Sequence, residues 1–143
     1  MHPFPHRYTV SALATPAGVV TLRSRELEDI QSSAPPEFGG PEGNWSPETL
    51  FVAAVSDCFV LSFRAIAGAS RLEWIEIDCG GEGVLEKTDT GTRFTHINLT
   101  VHLRVPAGAD VARAERLLEK AEKACLVSNS LNSEVHLTLH VSS

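Results

Sequence analysis

Residues 47–69 constrain this chain more than any other stretch. Ser46 suits an N-cap, its hydroxyl accepting from the first free backbone N–H groups, and Pro47 falls at the first helical position, where no needed donor is lost. Trp45 and Leu50 are spaced for a hydrophobic staple. The helix started here runs to about Ala69. Leu50, Phe51, Val52, Val55, Phe59, Val60, Leu61, Phe63 and Ile66 surround its axis rather than marking one stripe. A helix that is apolar all round is buried all round. With 143 residues, the chain has the length of a single domain, 1–143, whose one sheet cannot enclose that helix. A second subunit is expected to complete the cover. The most apolar part, Leu50 to Phe63, is broken by Ser56, Asp57 and Ser62 and is shorter than a membrane span. No membrane partner is expected.

The rest of the pattern arranges strands around this helix. Residues 7–15 and 18–24 read as two strands joined at Pro16-Ala17-Gly18. A long irregular stretch, 31–46, holds Pro35, Pro36, Gly39, Gly40, Pro41 and Gly43, and loops of that length in small domains are commonly functional. Residues 72–86 read as a strand. Residues 93–105 alternate, with Ile97, Leu99, Val101, Leu103 and Val105 on one face and His96, Asn98, Thr100, His102 and Arg104 on the other. Asp110 caps a second helix that carries Val111, Ala114, Leu117, Leu118, Ala121 and Cys125 toward one side. Ser128-Asn129-Ser130 breaks or restarts it, and 134–142 alternates again as a last strand. The order β-β-α-β-β-α-β describes an α+β domain with a mostly antiparallel sheet and a long buried helix.

Charge and cysteine content narrow the function classes. A net charge of −6 disfavours a duplex nucleic-acid binder and an anionic membrane surface. The three cysteines, Cys58, Cys79 and Cys125, are too few and scattered for a disulfide-stapled secreted domain, and none is in Cys-x-x-Cys spacing. The N-terminus lacks the long apolar run of a secretory signal, so a cytoplasmic location is expected. Cys79, beside Ile75 and Ile77, reads as core packing. Cys58 in the buried helix and Cys125 at the end of the second helix are open to packing or redox roles. A helix restarting near Ser128 would aim its free N–H groups at Cys125 and favour that thiolate.

Residues 43–59, Gly-Asn-Trp-Ser-Pro-Glu-Thr-Leu-Phe-Val-Ala-Ala-Val-Ser-Asp-Cys-Phe, resemble the OsmC/Ohr family of hydroperoxide-reducing proteins. Its pattern is a Pro-Glu pair, an apolar run and a cysteine ten residues after the glutamate, a spacing kept by Glu48 and Cys58. Its second signature, a cysteine followed shortly by Ser-Asn, is matched at 124–131, Ala-Cys-Leu-Val-Ser-Asn-Ser-Leu, with Leu126 in place of the usual proline. The resemblance implies the OsmC-like fold, an intertwined homodimer and a thiol peroxidase without metal or organic cofactor. Cys58 would attack a hydroperoxide, Cys125 would resolve the sulfenic acid as a disulfide, and an external dithiol, a dihydrolipoyl group in the Ohr branch, would reset the pair.

A thiol of pKa about 8.5 needs activation at neutral pH. Cys58 is mid-helix beside Asp57, so a cation is expected to lower its pKa. In the Ohr branch an arginine held by the glutamate matching Glu48 does this. Ten residues of helix separate Glu48 from Cys58 by about 15 Å, so the site is expected to combine Cys58 and Cys125 of one subunit with Glu48 and an arginine of the other. The family arginine lies in the N-terminal hairpin, where the nearest match, Thr15-Pro16-Ala17-Gly18, has none; Arg23 and Arg25 are the closest substitutes. Phe38, Trp45, Phe51 and Phe59 are candidate apolar walls of a pocket for organic hydroperoxides. A non-catalytic relative binding a small apolar ligand, and a thiol redox sensor, stand as alternatives. The six histidines lie scattered, His96 with His102 and His136 with His140 on polar strand faces, and no metal site is expected.

Overall fold

The computed structural model describes all residues, Met1–Ser143. By packing, the chain forms two compact units, Met1–Leu50 and Phe51–Ser143, and the first three strands pair only with one another. In the first unit β1 (Ser11–Leu13), β2 (Val20–Arg23) and β3 (Ile30–Ser32) form an antiparallel sheet in that order. Both hairpin strands are shorter than their sequence patterns, and β3 falls where an irregular loop is expected. Ile30, Gln31 and Ser32 find partners in β2, which no local pattern signals. The loop then makes a 3₁₀ turn at Pro36–Phe38. Ser33 N–H donates to the Trp45 carbonyl at 2.9 Å, holding the entry to the helix.

Helix α1 (Pro47–Ala69) has the expected bounds. Ser46 Oγ accepts from Thr49 N–H at 3.1 Å, and Thr49 Oγ1 accepts from Ser46 N–H at 2.9 Å. This reciprocal cap satisfies two otherwise orphaned donors. The helix has 23 residues, longer than the apolar stretch in the sequence, and by length and composition alone it could cross a membrane. Core helices have the same character, and Val55, Phe59, Phe63 and Ala67 of α1 are fully buried within one core cluster. Only this i, i+4, i+8, i+12 stripe is enclosed by the chain itself. Val52, Val60 and Ile66 are half-buried, and Leu61 is 49% exposed. One chain, whose single C-terminal sheet reaches one face, thus leaves α1 partly uncovered, as its length leads one to expect.

The second unit holds β4 (Glu76–Thr88), β5 (Gly91–Arg104), α2 (Val111–Ala124), α3 (Leu126–Asn129) and β6 (Glu134–Ser142). The sheet order is β4-β5-β6; β4 and β5 are antiparallel, β5 and β6 parallel. Parallel neighbours need a crossover, which α2 and α3 provide. Ile97, Leu99, Val101 and Leu103 of β5 are buried with Ala114, Leu118 and Ala121 of α2 in the core cluster. Asp110 caps α2, its Oδ1 accepting from Arg113 N–H at 3.0 Å.

Two glycines let α1 approach β4. A Cβ on Gly81 would collide with Ser56 Oγ, and one on Gly83 would lie 2.6 Å from Val52 Cγ2 and 2.9 Å from Phe94 Cε1. Gly83→Ala overpacks this contact, so denaturant unfolding should show a loss of about 1–3 kcal/mol.

Candidate active site

Cys58 and Ser62 are one turn apart on α1, which puts their side chains on neighbouring positions of one face. Cys125 is the residue at which α2 stops and α3 starts. Its backbone is extended (φ −66°, ψ 112°), so the helix is broken there and the next amides point in a new direction. The crossover brings this junction against Cys58. The Leu126 and Val127 amides, the Cys125 thiol and the Ser62 hydroxyl each favour the Cys58 thiolate. Cys58, Cys79 and Cys125 are free thiols.

The two thiols of the pair are polarised in opposite directions. Burial pushes the Cys58 pKa up, but the Val127 amide, the Cys125 thiol, the Ser62 hydroxyl and the Leu126 amide outweigh it, and the net shift is downward. Cys125 is fully buried, and burial raises its pKa; the Ser128 hydroxyl and amide oppose this, while donation to Cys58 and the Cys58 charge add to it. The Ser128 hydroxyl donates to Cys125 Sγ at 3.3 Å. Cys125 thus has a donor in Ser128 while it favours the thiolate on Cys58. Cys79 has its pKa pushed up to about 11, first by burial and also by the charges of Asp78 and Cys125, against a hydrogen bond from Ser56. It stays a thiol at neutral pH.

The structure corrects the sequence reading on one point: the new helix starts at Leu126, not near Ser128. The Ser128 amide lowers the Cys125 pKa against burial, and the Leu126 and Val127 amides lower that of Cys58. Cys58 is mid-helix in its own element, yet neutral donors from another element favour its thiolate. The roles of Ser62, Leu126 and Val127 are not apparent from sequence; the one signal is the i, i+4 spacing of Cys58 and Ser62.

Arg23, Arg25, Phe38, Trp45 and Glu48 belong to the N-terminal unit. Arg23 Nε pairs with Asp29 Oδ2 at 3.0 Å, and Arg25 Nε with Glu26 Oε1 at 3.9 Å, both within the N-terminal unit. Glu48 is in the first turn of α1, and its Oε2 is buried without a hydrogen-bond partner. Phe38 and Trp45 are exposed in the N-terminal unit, the latter too open for a closed staple. Phe51 is half-buried and stacks on Phe94 with ring centroids 4.8 Å apart. Phe59 is fully buried in the core, so it packs the fold and does not wall a pocket.

Leu126 is where this sequence departs from the resembled pattern, and the departure has a chemical consequence. A proline there has no N–H to donate. The extended backbone of Cys125 and the first-turn position both admit proline. Leu126→Pro is therefore expected to keep α3 while removing one donor, so the pH profile of Cys58 alkylation should move to higher pH.

A family model described as OsmC-like protein matches residues 39–140. The peroxiredoxin OsmC of Escherichia coli is 29% identical over 126 residues, 88% of this chain and 87% of that protein. The uncharacterized protein YmaD of Bacillus subtilis is 28% identical over 113 residues, 77% of this chain and 75% of that one. Among solved structures, an OsmC-like protein of unknown function from Vibrio cholerae superposes with a TM-score of 0.88 at 22% identity, covering 95% of this chain and 100% of that chain. An organic hydroperoxide resistance protein OsmC from Legionella pneumophila gives a TM-score of 0.77 at 26% identity, covering 99% and 100%. With the matched segment spanning well over half of its length, the chain belongs to the OsmC-like protein family.

Proposed function

We propose that this protein is a two-cysteine peroxidase that reduces organic hydroperoxides at the expense of an external dithiol. The observation that carries the reading is the opposite polarisation of two free thiols, each acting on the other: Cys58 is lowered and Cys125 is raised. A nucleophile and its resolving partner need that asymmetry. The Cys58 thiolate attacks the distal peroxide oxygen, the O–O bond breaks, and the alkoxide leaves as alcohol after taking a proton. The resulting sulfenic acid is attacked by Cys125, which expels its oxygen as water and forms the Cys58–Cys125 disulfide. A dithiol then reduces that disulfide by exchange. Sulfur carries both electrons, so no cofactor enters the cycle.

The names of the Escherichia coli and Legionella pneumophila relatives, peroxiredoxin and organic hydroperoxide resistance protein, support this class of reaction. The functional unit is a homodimer in this reading. The uncovered apolar face of α1 supports it, as does the orphaned Glu48 carboxylate oxygen, for which a cation of a second copy is a suitable donor.

The test is consumption of cumene hydroperoxide and of H2O2 with dihydrolipoamide as reductant. Catalytic turnover, faster with cumene hydroperoxide, is expected. Oxidation that stops at one equivalent per chain with the dithiol present would overturn the enzyme reading in favour of a sensor.

A further inference from the structure

The outer face of the β4-β5-β6 sheet carries four histidines, and those that come together do so across strands rather than along them. Parallel pairing of β5 and β6 sets His96 opposite Glu134, with His136 two residues further along the same face. Glu134 Oε2 lies 3.4 Å from His96 Nε2 and 3.3 Å from His136 Nε2. The imidazole centroids are 5.4 Å apart, and the three donor atoms lie within 4.8 Å of one another.

Hydrogen bonding behind His96 fits one tautomer. The Thr95 hydroxyl is bonded to Glu86 Oε1 and lies 2.9 Å from His96 Nδ1, which is also 3.5 Å from Glu86 Oε1. With the proton on Nδ1, the ring presents the Nε2 lone pair toward the Glu134 carboxylate. Two acceptors at 3.4 Å repel unless a positive charge lies between them. A carboxylate acting through a hydroxyl to orient an imidazole is also what supports metal-ligating histidines. The spacing suits a metal as well: a tetrahedral ion with bonds of about 2.1 Å has ligand atoms about 3.4 Å apart.

We propose that His96, Glu134 and His136 bind a Zn2+-class divalent cation, with water in the remaining position, and that the ion ties β6 to β5. Two imidazoles and one carboxylate suit Zn2+, Co2+ or Ni2+ better than Mg2+ or Ca2+. The site lies on the solvent side of the sheet, on the face opposite the core residues, and takes no part in the thiol chemistry.

Calorimetric titration of the full chain with Zn2+, in the Cys58→Ser background so that the thiol pair does not compete, tests it. One saturable site per chain is expected, with a Zn2+-dependent rise in the thermal midpoint. His136→Asn and Glu134→Gln should each weaken binding by at least about tenfold, and Glu86→Gln by a similar order through orientation alone. His102→Asn, in the separate stacked pair with His140, should leave it unchanged. Bound Co2+ should show weak visible bands without thiolate charge transfer. All the exchanged side chains are solvent-accessible, so the variants should fold. The proposal is overturned by absence of a saturable site at millimolar Zn2+, by a site that survives both His136→Asn and Glu134→Gln, or by a thiolate-dominated Co2+ spectrum.

Discussion

Cys58→Ser should reduce hydroperoxide turnover by at least about a thousandfold, to the background of the dithiol alone, because a serine hydroxyl cannot form the sulfenic acid. Cys125→Ser should fail differently. Cys58 keeps the Leu126 and Val127 amides and the Ser62 hydroxyl, so a first equivalent of peroxide should still be consumed. Without Cys125, no internal disulfide forms, and the sulfenic acid should be trapped by dimedone or pass to sulfinic acid under excess peroxide. The two variants therefore separate nucleophile from resolver in one assay. Turnover surviving Cys58→Ser would remove the assigned nucleophile. Cys79→Ser should leave turnover intact, since burial keeps that thiol protonated, with its pKa pushed up to about 11. The rate should fall as pH drops through the lowered Cys58 pKa, because only the thiolate attacks.

Phe59→Ala should cost about 3–5 kcal/mol of stability, the largest expected loss from a single truncation. Phe59 is fully buried at the centre of the α1 stripe, between Val55 and Phe63. The cavity left there cannot collapse easily, because the stripe is held on a regular helix. A domain of this size has about 5–15 kcal/mol in total, so urea unfolding should show a much lower midpoint or a protein that no longer folds at 37 °C. Leu61→Ala is the informative contrast. Leu61 lies on the face the chain does not cover, so in a monomer its truncation should be nearly silent. If a second copy covers that face, the loss should appear as weaker dimerisation, with an unfolding midpoint that depends on protein concentration.

Much of the fold was legible because its signals are local. Ser46 and Pro47 mark the start of α1, Asp110 caps α2, and strict alternation marks the β5 and β6 faces. Each of these depends on residues no more than a few positions apart. The β3 strand was not legible, since Ile30, Gln31 and Ser32 become a strand only by finding β2. The incomplete cover of α1 was legible, because apolar residues surround its axis and one sheet can reach only one face.

The chemistry divides along the same line. Helix capping and side-chain periodicity are written into short segments, so the amino-acid order alone determines α1, the start of α2 after Asp110 and the presence of Cys58 and Cys125 on separate elements. The thiolate preference of Cys58 needs donors from residues 67 and more positions away. The convergence of His96 with Glu134 and His136 needs the parallel register of β5 and β6. Hydrogen bonds and cross-strand contacts act over a few ångströms in space, and only the crossover through α2 and α3 brings these groups within that range.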